Sequence, residues 1–465
     1  WNCAILIFTL LMGGMIGLIT RSGGANAIAN ALAKRAKTAR AGQLATWLIG
    51  MLIFFDDYGS CLITGNTARP LTDKLRVSRE KLSYIVDSTA APVATIGIIS
   101  TWIGYELGVI HDSFQAIGVE TNVYLTFLQS IPFRFYSIFA LGLVVIIAVM
   151  MRDFGPMYHA EIRARTTGKV LRDGAVPLAD TTTSELMVKE GTPLRIINFI
   201  LPIVVLVGAT FYGLYWHGVH VGGGDPGSLL DALGNADSSI VLLWTSLIGA
   251  LVALVMVLVQ RILKFTEAMD TFVSGMKSVF FACVILVLAW SLSSVSSELG
   301  AADYLVGLVT EGGVPYQIVP LVIFLIACLM SFATGTSWGT MGIITPLAIP
   351  VAYALNPAIL IPTLGSVLTG AIFGDHCSPI SDSTILSSTG SGADHIDHVR
   401  TQMPYAILAA VVAAVFGFIP AGFGIPVWIT IPVGLVVLIL FVRFVGKSTA
   451  DDIAVIEADK AKAKA

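Results

Sequence analysis

The chain has 465 residues, of which 55% are hydrophobic and only 12% are charged. Soluble domains are about a quarter charged, so this composition argues against a soluble enzyme or binding module and indicates an integral membrane protein. The formal net charge of −3 is small and identifies no partner. The chain begins at Trp1 rather than at methionine, and we expect further sequence upstream.

Uninterrupted apolar runs recur along the chain, and each can cross a hydrocarbon core of about 30 Å as a helix. The runs lack the alternation of a transmembrane β-barrel, which favours helical spans. They predict an all-α polytopic membrane protein, located in the plasma (inner) membrane. The clearest runs are residues 2–20, 136–151, 194–217, 238–260, 278–297 and 425–443.

Lysine and arginine are concentrated in a few segments, and such segments mark the cytoplasmic side of a membrane protein. They predict a cytoplasmic linker at 152–193 and a cytoplasmic tail at 447–465. The connections at 105–120 and 218–237 contain neither residue, which places them outside. Residues 194–265 then hold connecting transmembrane helices.

Residues 43–68 are long enough to span, yet both flanks are strongly basic. A single crossing would put one basic cluster outside, whereas a re-entrant hairpin that turns at "DDYGS" keeps both inside. Such non-helical backbone at membrane depth needs protein or a water-filled cavity around it. We expect the hairpin, with a single span as the alternative, and a broken helix after it at 78–104.

The same order, a hairpin and then a broken helix, recurs in the second half. Gly59-Ser60 falls near Thr336-Ser337, and Pro70-Leu71 meets Pro346-Leu347. Paired breaks of this kind are typical of inverted-repeat transporters, with chance similarity of apolar sequence as the alternative. The repeats would cover 1–151 and 266–446, with the second hairpin at 316–348 and the second broken helix at 358–391.

Acidic and hydroxyl residues stand at these interruptions, and an ionisable side chain inside a bilayer is by default a functional candidate. Adjacent carboxylates repel unless a cation or a proton compensates. Carboxylates, hydroxyls and the carbonyls freed by proline form an all-oxygen shell that suits a hard ion such as Na⁺. The candidate ion- and substrate-binding residues are Asp56, Asp57, Ser60, Asn66, Asp87, Ser88, Thr89, Thr334, Thr336, Ser337, Asp375, His376, Ser378, Asp382 and Ser383, with Asp57, Asp87, Asp375 and Asp382 as Na⁺ ligands.

Structural alternatives stand beside these interpretations. Asp56 and Asp57 would cap a loop at the membrane surface, and Asp87 would be the N-cap of the helix after "DSTAAP". His376 is either a structural hydrogen-bond donor or a proton carrier. Arg134 is expected to snorkel at the outer boundary.

The stretch "GSGADHIDHVR" brings two aspartates and two histidines together in the manner of a metal cluster. A solvated turn before the next helix is the better interpretation of Asp394, His395, Asp397 and His398. The sequence contains no P-loop GxxxxGK[ST], no HExxH and no GxSxG. We therefore expect no enzymatic activity and no cofactor beyond Na⁺ and H⁺ as coupling ions.

Two long motifs, "FFDDYGS…ARPLTDKLRVSREKLSYIVDSTAAPVA" and "FGDHCSPISDSTILSSTGSGADHIDHVRTQMPYA", resemble the NhaC family of sodium/proton antiporters. The resemblance runs from Leu11 to about Phe444. It implies the ion-transporter superfamily fold, a homodimer, and an elevator-type transport domain that contains both hairpins. The family often has a bulky residue and an asparagine after "DDY". This chain has Gly59-Ser60-Cys61 there, and such small residues would enlarge the cavity.

We expect a secondary active transporter, with Na⁺/H⁺ antiport by alternating access as the leading hypothesis. The alternative is a Na⁺- or H⁺-coupled carrier of a small organic solute, either an amino acid or a hydroxycarboxylate such as malate or lactate. A membrane enzyme or a channel is disfavoured by the paired breaks. The expected partners are the lipid bilayer, Na⁺, H⁺ and such a solute, and no nucleic acid.

Overall fold

The regular structure is almost entirely helical, because a helix satisfies its own backbone hydrogen bonds in an apolar environment. The computed structural model describes residues 2–33, 36–54, 57–98, 100–177, 188, 191–280 and 315–449, with short pieces between 283 and 311. Within the described ranges the strands are β1 (Arg152–Asp153) and β2 (Lys447–Ser448), which pair antiparallel. Of the predicted cytoplasmic tail, only residues 447–449 are described.

Twenty-one α-helices are numbered here in chain order across the described residues. They are α1 Asn2–Arg21, α2 Gly24–Ala33, α3 Ala39–Leu52, α4 Asp57–Lys74, α5 Arg79–Ser88, α6 Ala91–Ala94, α7 Thr101–Ala116, α8 Val123–Ser130, α9 Phe135–Met150, α10 Gly155–Thr167, α11 Ile197–His220, α12 Leu229–Gly234, α13 Ser238–Val259, α14 Phe265–Ser278, α15 Val319–Thr334, α16 Ser337–Leu355, α17 Leu360–Asp375, α18 Asp382–Ser391, α19 His395–Val412, α20 Ile419–Gly422 and α21 Val427–Phe444.

Eight of the described helical segments are long and apolar enough to cross a membrane, and a ninth span results if the bent pair α8–α9 counts as one. Four of them, α1, α11, α13 and α21, coincide with predicted apolar runs, and α9 coincides with a fifth. Most of the run at 278–297 lies outside the described residues. The prediction of an all-α, multi-pass membrane protein is confirmed.

The predicted hairpins and broken helices coincide with interruptions of the helices. The first hairpin region is divided between α3 and α4, which begins at Asp57, and the second turns at Gly335, whose φ is +68°. Helix α5 ends at Ser88, and the chain between Asp375 and Asp382 separates α17 from α18. Re-entry of the hairpins and the inverted relation of the two halves stay predictions, because α15 and α16 are each long enough to cross.

The first broken helix extends further than its predicted end at residue 104. Its pieces are α5, α6 and α7, and α7 continues to Ala116. The Trp102, Tyr105 and Ile110 side chains are buried, so packing holds this segment as a helix. A lack of lysine and arginine gives no information on where a helix ends, and the connection to α8 begins only after Ala116.

Glycines allow the helices around the later breaks to approach closely. The Ser331 hydroxyl of α15 donates to the Gly370 carbonyl of α17 and accepts the Gly374 amide, both at 3.0 Å. A Cβ atom on Gly374 would lie 2.0 Å from the Ser331 carbonyl carbon. Similarly, a Cβ atom on Gly65 of α4 would lie 2.6 Å from the Gly390 carbonyl carbon of α18. Such small residues are the usual basis of close helix packing in membranes.

Buried charges tie the segment after α9 to the start of α5. The Lys81 ammonium pairs with the Asp153 carboxylate of β1, and both side chains are at most 2% exposed. The Tyr405 hydroxyl donates to the same carboxylate at 2.8 Å. The Ser78 amide and hydroxyl both donate to Glu161 Oε1 at 2.8 Å. The predicted linker therefore contains a packed helix, α10, rather than only a loop.

The snorkelling expectation for Arg134 is wrong, because this side chain is fully buried (0% exposed). Its Nη2 atom lies 2.9 Å from Glu106 Oε2 of α7. Its Nη1 atom donates to Thr95 Oγ1 at 2.7 Å, and Nη2 donates to Ser130 Oγ at 3.0 Å. The Glu106 carboxylate of α7 and the two hydroxyls solvate the Arg134 guanidinium, which therefore does not need to reach water at the membrane surface.

We predict that Gly374→Ala lowers the stability of the folded protein by about 1–3 kcal/mol, because the new methyl group meets the backbone of α15. The measurement is the midpoint of thermal unfolding in detergent. The matched control is Gly208→Ala in α11, where an added Cβ meets nothing within 4 Å. Equal midpoints for the two variants would contradict the close contact.

We predict that Arg134→Met costs about 3–5 kcal/mol, since it leaves the Glu106 carboxylate buried without its cation. In the double variant with Glu106→Gln, no unpaired charge remains, so the loss should be smaller than in Arg134→Met alone. Thermal midpoints of the wild type, both single variants and the double variant test this. Strictly additive losses would mean that the pair does not interact.

Candidate functional site

The Asp375 carboxylate lies where α17 ends, and hydroxyl groups from two other helix starts surround it. Ser337 Oγ, in the first turn of α16, donates to Asp375 Oδ2 at 2.6 Å. Ser381 Oγ and Ser383 Oγ, at the start of α18, donate to Asp375 Oδ1 at 2.6 and 3.0 Å. The carboxylate is buried, and the break in the helix supplies its solvation.

Helix ends around this carboxylate favour a negative charge there. The first amides of a helix have no partner within that helix, and its N-terminus carries a partial positive charge. Both α16 and α18 begin beside Asp375. Ser381 is also the N-cap of α18, where its hydroxyl accepts the Thr384 amide. The Thr384 hydroxyl donates to the Asp375 carbonyl oxygen at 2.8 Å, and the single protons of Ser381 Oγ and Ser383 Oγ are shared between that oxygen, at 2.7 and 3.0 Å, and Oδ1.

A second buried carboxylate, Asp87, lies in the last turn of α5. Its Oδ2 atom accepts a bond from Gln402 Nε2 at 2.6 Å and lies 3.1 Å from His398 Nε2. Both partners belong to α19. Asp87 Oδ1, His398 Nδ1 and Gln402 Oε1 are buried and have no hydrogen-bond partner among the described residues. Three such atoms on side chains that contact one another leave hydrogen-bonding capacity unused at this position.

His376 connects the two carboxylates. Its Nε2 atom lies 2.9 Å from Ser88 Oγ, next to Asp87 in the chain, and its Nδ1 atom lies 2.6 Å from the Tyr136 hydroxyl. Its carbonyl oxygen accepts a bond from Gln402, which also binds Asp87. Polar contacts therefore run from the end of α17 to the end of α5, and the two breaks form one polar region.

Several predicted residues of the first half lie close to this region. Asp57 is buried at the start of α4, while Asp56 lies outside the described residues. Ser60 Oγ donates to the Thr89 carbonyl at 3.4 Å, and the Thr89 hydroxyl bonds within its own helix end. Asn66 lies nine residues beyond Asp57, about 13 Å along α4. It is therefore displaced along the helix from Asp57.

Four predicted residues of the second half do not bind the Asp375 carboxylate through their side chains in this structure. Thr334 is exposed and donates to a backbone carbonyl of its own helix, so its hydroxyl is not directed at Asp375. Thr336 stands at the N-cap position of α16 without a side-chain cap bond. Ser378 Oγ donates to the Phe332 carbonyl at 2.9 Å. Asp382 is exposed and accepts a bond from the Tyr58 hydroxyl, which joins α4 to α18.

Asp87 does not act as an N-cap, because the N-cap position of α6 is Ala90 and has no side-chain cap bond. The expectation of a solvated turn for "GADHIDHVR" holds only in part. Asp394 caps α19, and Asp397 pairs with Arg172 at 2.8 Å. His398, in contrast, is fully buried against Asp87, so this part of the expectation is wrong. Within the described residues, no three of these side chains are grouped in a way that could hold a metal ion.

Sequence reasoning missed His398, Gln402 and Tyr136 as members of the site. A signal was available for the first two, since they are spaced four residues apart and share one face of α19. Tyr136 gave no such signal, because an aromatic residue at the start of an apolar helix is common.

Interrupted helices around buried carboxylates in a multi-pass membrane protein are typical of secondary transporters. The model of the Na⁺/H⁺ antiporter family matches residues 93–422, and the chain belongs to that family. The resemblance to NhaC-type antiporters is thereby confirmed, and the protein is a secondary transporter. Its multi-pass character is consistent with the plasma membrane.

The relatives include an uncharacterised protein of Haemophilus influenzae, 34% identical over 95% of this chain and 83% of that protein. The malate-2H⁺/Na⁺-lactate antiporter of Bacillus subtilis is 35% identical over 26% of this chain and 31% of its own. Among solved structures, the YdaH transporter of Alcanivorax borkumensis aligns with a TM-score of 0.55 at 15% identity. That alignment covers 90% of this chain and 86% of the other. At this identity the match supports the fold alone.

We predict that His398→Leu lowers the thermal midpoint, at a cost of about 1–3 kcal/mol, because the buried Asp87 carboxylate loses one of its two donors. His398→Gln should recover part of the loss, since an amide can still donate. The control is His220→Leu, an exposed histidine whose Nδ1 atom lies 2.9 Å from the Trp216 carbonyl of its own helix and whose ring stacks on Trp216. Equal effects of His398→Leu and His220→Leu would contradict a bond to Asp87.

Proposed function

We propose that the protein exchanges Na⁺ for H⁺ by alternating access, and that the two ions compete for the Asp375 carboxylate. The observation that carries this proposal is the burial of that carboxylate among the hydroxyls of Ser337, Ser381 and Ser383. Two carboxylate and three hydroxyl oxygens match the preference of hard cations for oxygen ligands. An ionised carboxylate without a cation is costly in such surroundings, and a proton can neutralise it instead.

The second position in this proposal is Asp87 with His398 and Gln402, which would hold another ion or proton. Asp87 Oδ1, His398 Nδ1 and Gln402 Oε1, which are buried and accept or donate no hydrogen bond among the residues that the structure describes, support this assignment. His376 and Ser88 lie between the two positions and would couple their occupancy. The adjacent Asp57 and, through Tyr58, Asp382 would contribute negative charge at the edge of the site.

Alternating access requires that the site face each side of the membrane in turn. The hairpin turn at Gly335 lies directly against the break between α17 and α18, because a Cβ on Gly335 would be 2.9 Å from the Ile380 carbonyl. The turn therefore covers the break, and its displacement would expose Asp375. Following the family resemblance, the proposal includes a homodimer and an elevator-type movement of a domain that contains both hairpins.

A coupled carrier of a small organic solute is the second candidate. The name of the Bacillus subtilis relative, which includes malate and lactate, favours it. The small residues after "DDY" do not favour it, because they take part in helix packing. Cys61 Sγ, for example, lies 3.1 Å from Ser387 Oγ of α18. On this ground we prefer the exchange of bare ions.

We predict that Asp375→Asn lowers Na⁺-dependent proton flux at least about tenfold, since a neutral amide replaces the charged ligand and cannot carry the proton. The assay uses proteoliposomes with an enclosed pH dye and an imposed Na⁺ gradient. In the wild type, a lower pH should raise the Na⁺ concentration needed for half-maximal flux, because protons compete for the same carboxylate.

The matched control is Asp173→Asn, an exposed carboxylate paired with Lys169 away from the site. Its flux should equal that of the wild type. Flux that persists unchanged in Asp375→Asn would overturn the residue assignment. If wild-type liposomes give no Na⁺-dependent proton flux but take up labelled malate, lactate or an amino acid, the organic carrier replaces the antiporter.

A further inference from the structure

Two cavities on the basic side of the protein meet at Arg400. The first has a volume of about 560 Å³ and is lined by charged side chains of α10, α19 and the segment after α10, including His159, Arg163 and Arg172. The second has a volume of about 720 Å³ and lies along α19 against α21. Arg400 lines both, so a charged cavity and an apolar one adjoin at this side chain.

Among the described residues that line the first cavity, the side-chain charges leave a positive excess at Arg400. Arg163 pairs with Glu80 at 2.8 Å, and Arg172 pairs with Asp397 at 2.8 Å, so these cations are neutralised. Arg400 is exposed, and no carboxylate within the described ranges pairs with it. An anionic group is therefore the complementary ligand at this end of the cavity.

The second cavity has the composition and length of a site for an acyl chain. Arg400, Ile407 and Val411 share one face of α19, because their spacings of seven and four follow the helical period. Ile407 is 48% exposed and Val411 is 52% exposed, and Phe441 of α21 forms the opposite wall. The face from Arg400 to Val411 is about 16 Å long, close to one leaflet of a hydrocarbon core of about 30 Å.

We propose that this pair of cavities binds an anionic phospholipid, with the headgroup phosphate at Arg400 and one acyl chain along α19. The basic segments around the headgroup cavity place it at the cytoplasmic surface, where negatively charged lipids are attracted to such residues. The same helix carries His398 and Gln402 to Asp87 on its buried side. The lipid thus lies on the opposite side of the helix that positions the second carboxylate.

The test is native mass spectrometry of the purified full chain titrated with phosphatidylglycerol or with phosphatidylcholine of the same acyl chains. Wild type should bind phosphatidylglycerol at least about fivefold more tightly, the factor that one basic side chain contributes at an anionic headgroup. Arg400→Gln should abolish that preference. Arg443→Gln, which removes an exposed arginine at the end of α21 that lines neither cavity, should retain it.

Ile407→Trp, which fills the apolar cavity, should weaken the binding of both lipids. Excess glycerol phosphate should fail to displace phosphatidylglycerol, since it lacks the acyl chain. Equal affinity for the two lipids in wild type, or equal effects of Arg400→Gln and Arg443→Gln, would overturn the proposal. If glycerol phosphate displaced phosphatidylglycerol, the site would bind soluble anions rather than a lipid, and the proposal would fail. Loss of a dimer in Ile407→Trp would make the groove an interface between copies, and the lipid proposal would fail.

Discussion

A carboxylate that lies away from water has to be solvated by the protein itself, and the arrangement of this chain follows from that requirement. Within an unbroken helix, the backbone N–H and C=O groups bond to each other. At a helix end, the terminal N–H or C=O groups remain free to bind other groups. Asp375 and Asp87 both lie in the last turn of a helix. Close glycine contacts complete the arrangement, because short serine side chains reach a carboxylate on another helix only when the backbones nearly touch.

The interrupted first helix is fixed on both sides of its break. On one side, Lys81 is paired with Asp153, and on the other, Arg134 binds Thr95 together with Glu106. Buried ion pairs add little net stability because both partners lose their water. Their effect here is positional, since the charges hold the chain at two points and the segment from Asp87 to Thr89 lies between them.

Asp375, Ser337 and Asp87 can be selected from the sequence as candidate site residues, because charged and hydroxyl side chains are rare within apolar segments. Partners distant in the chain were harder to predict. The polar residues around His398 favour a solvated turn, although His398 lies in the first turn of a long helix and contacts Asp87. The position of Arg134 beside an apolar run favours the membrane surface, because its partner Glu106 is distant in the chain and no sequence pattern links the two. The sequence of one segment shows which polar residues it carries. Which side chains they contact depends on tertiary packing between segments that are distant in the chain.

The two short strands have a consequence for handling the protein. Asp153 is opposite Lys447 in the ribbon of β1 and β2, and the Thr449 amide donates to the Met151 carbonyl at 2.9 Å. The segment that follows α21 therefore pairs with the strand that contains Asp153, and Asp153 forms the ion pair with Lys81 at the start of α5. A reporter or affinity tag is best joined after residue 449. A fusion that replaced the ribbon would remove the contact between β1 and β2 that lies next to the Lys81–Asp153 pair.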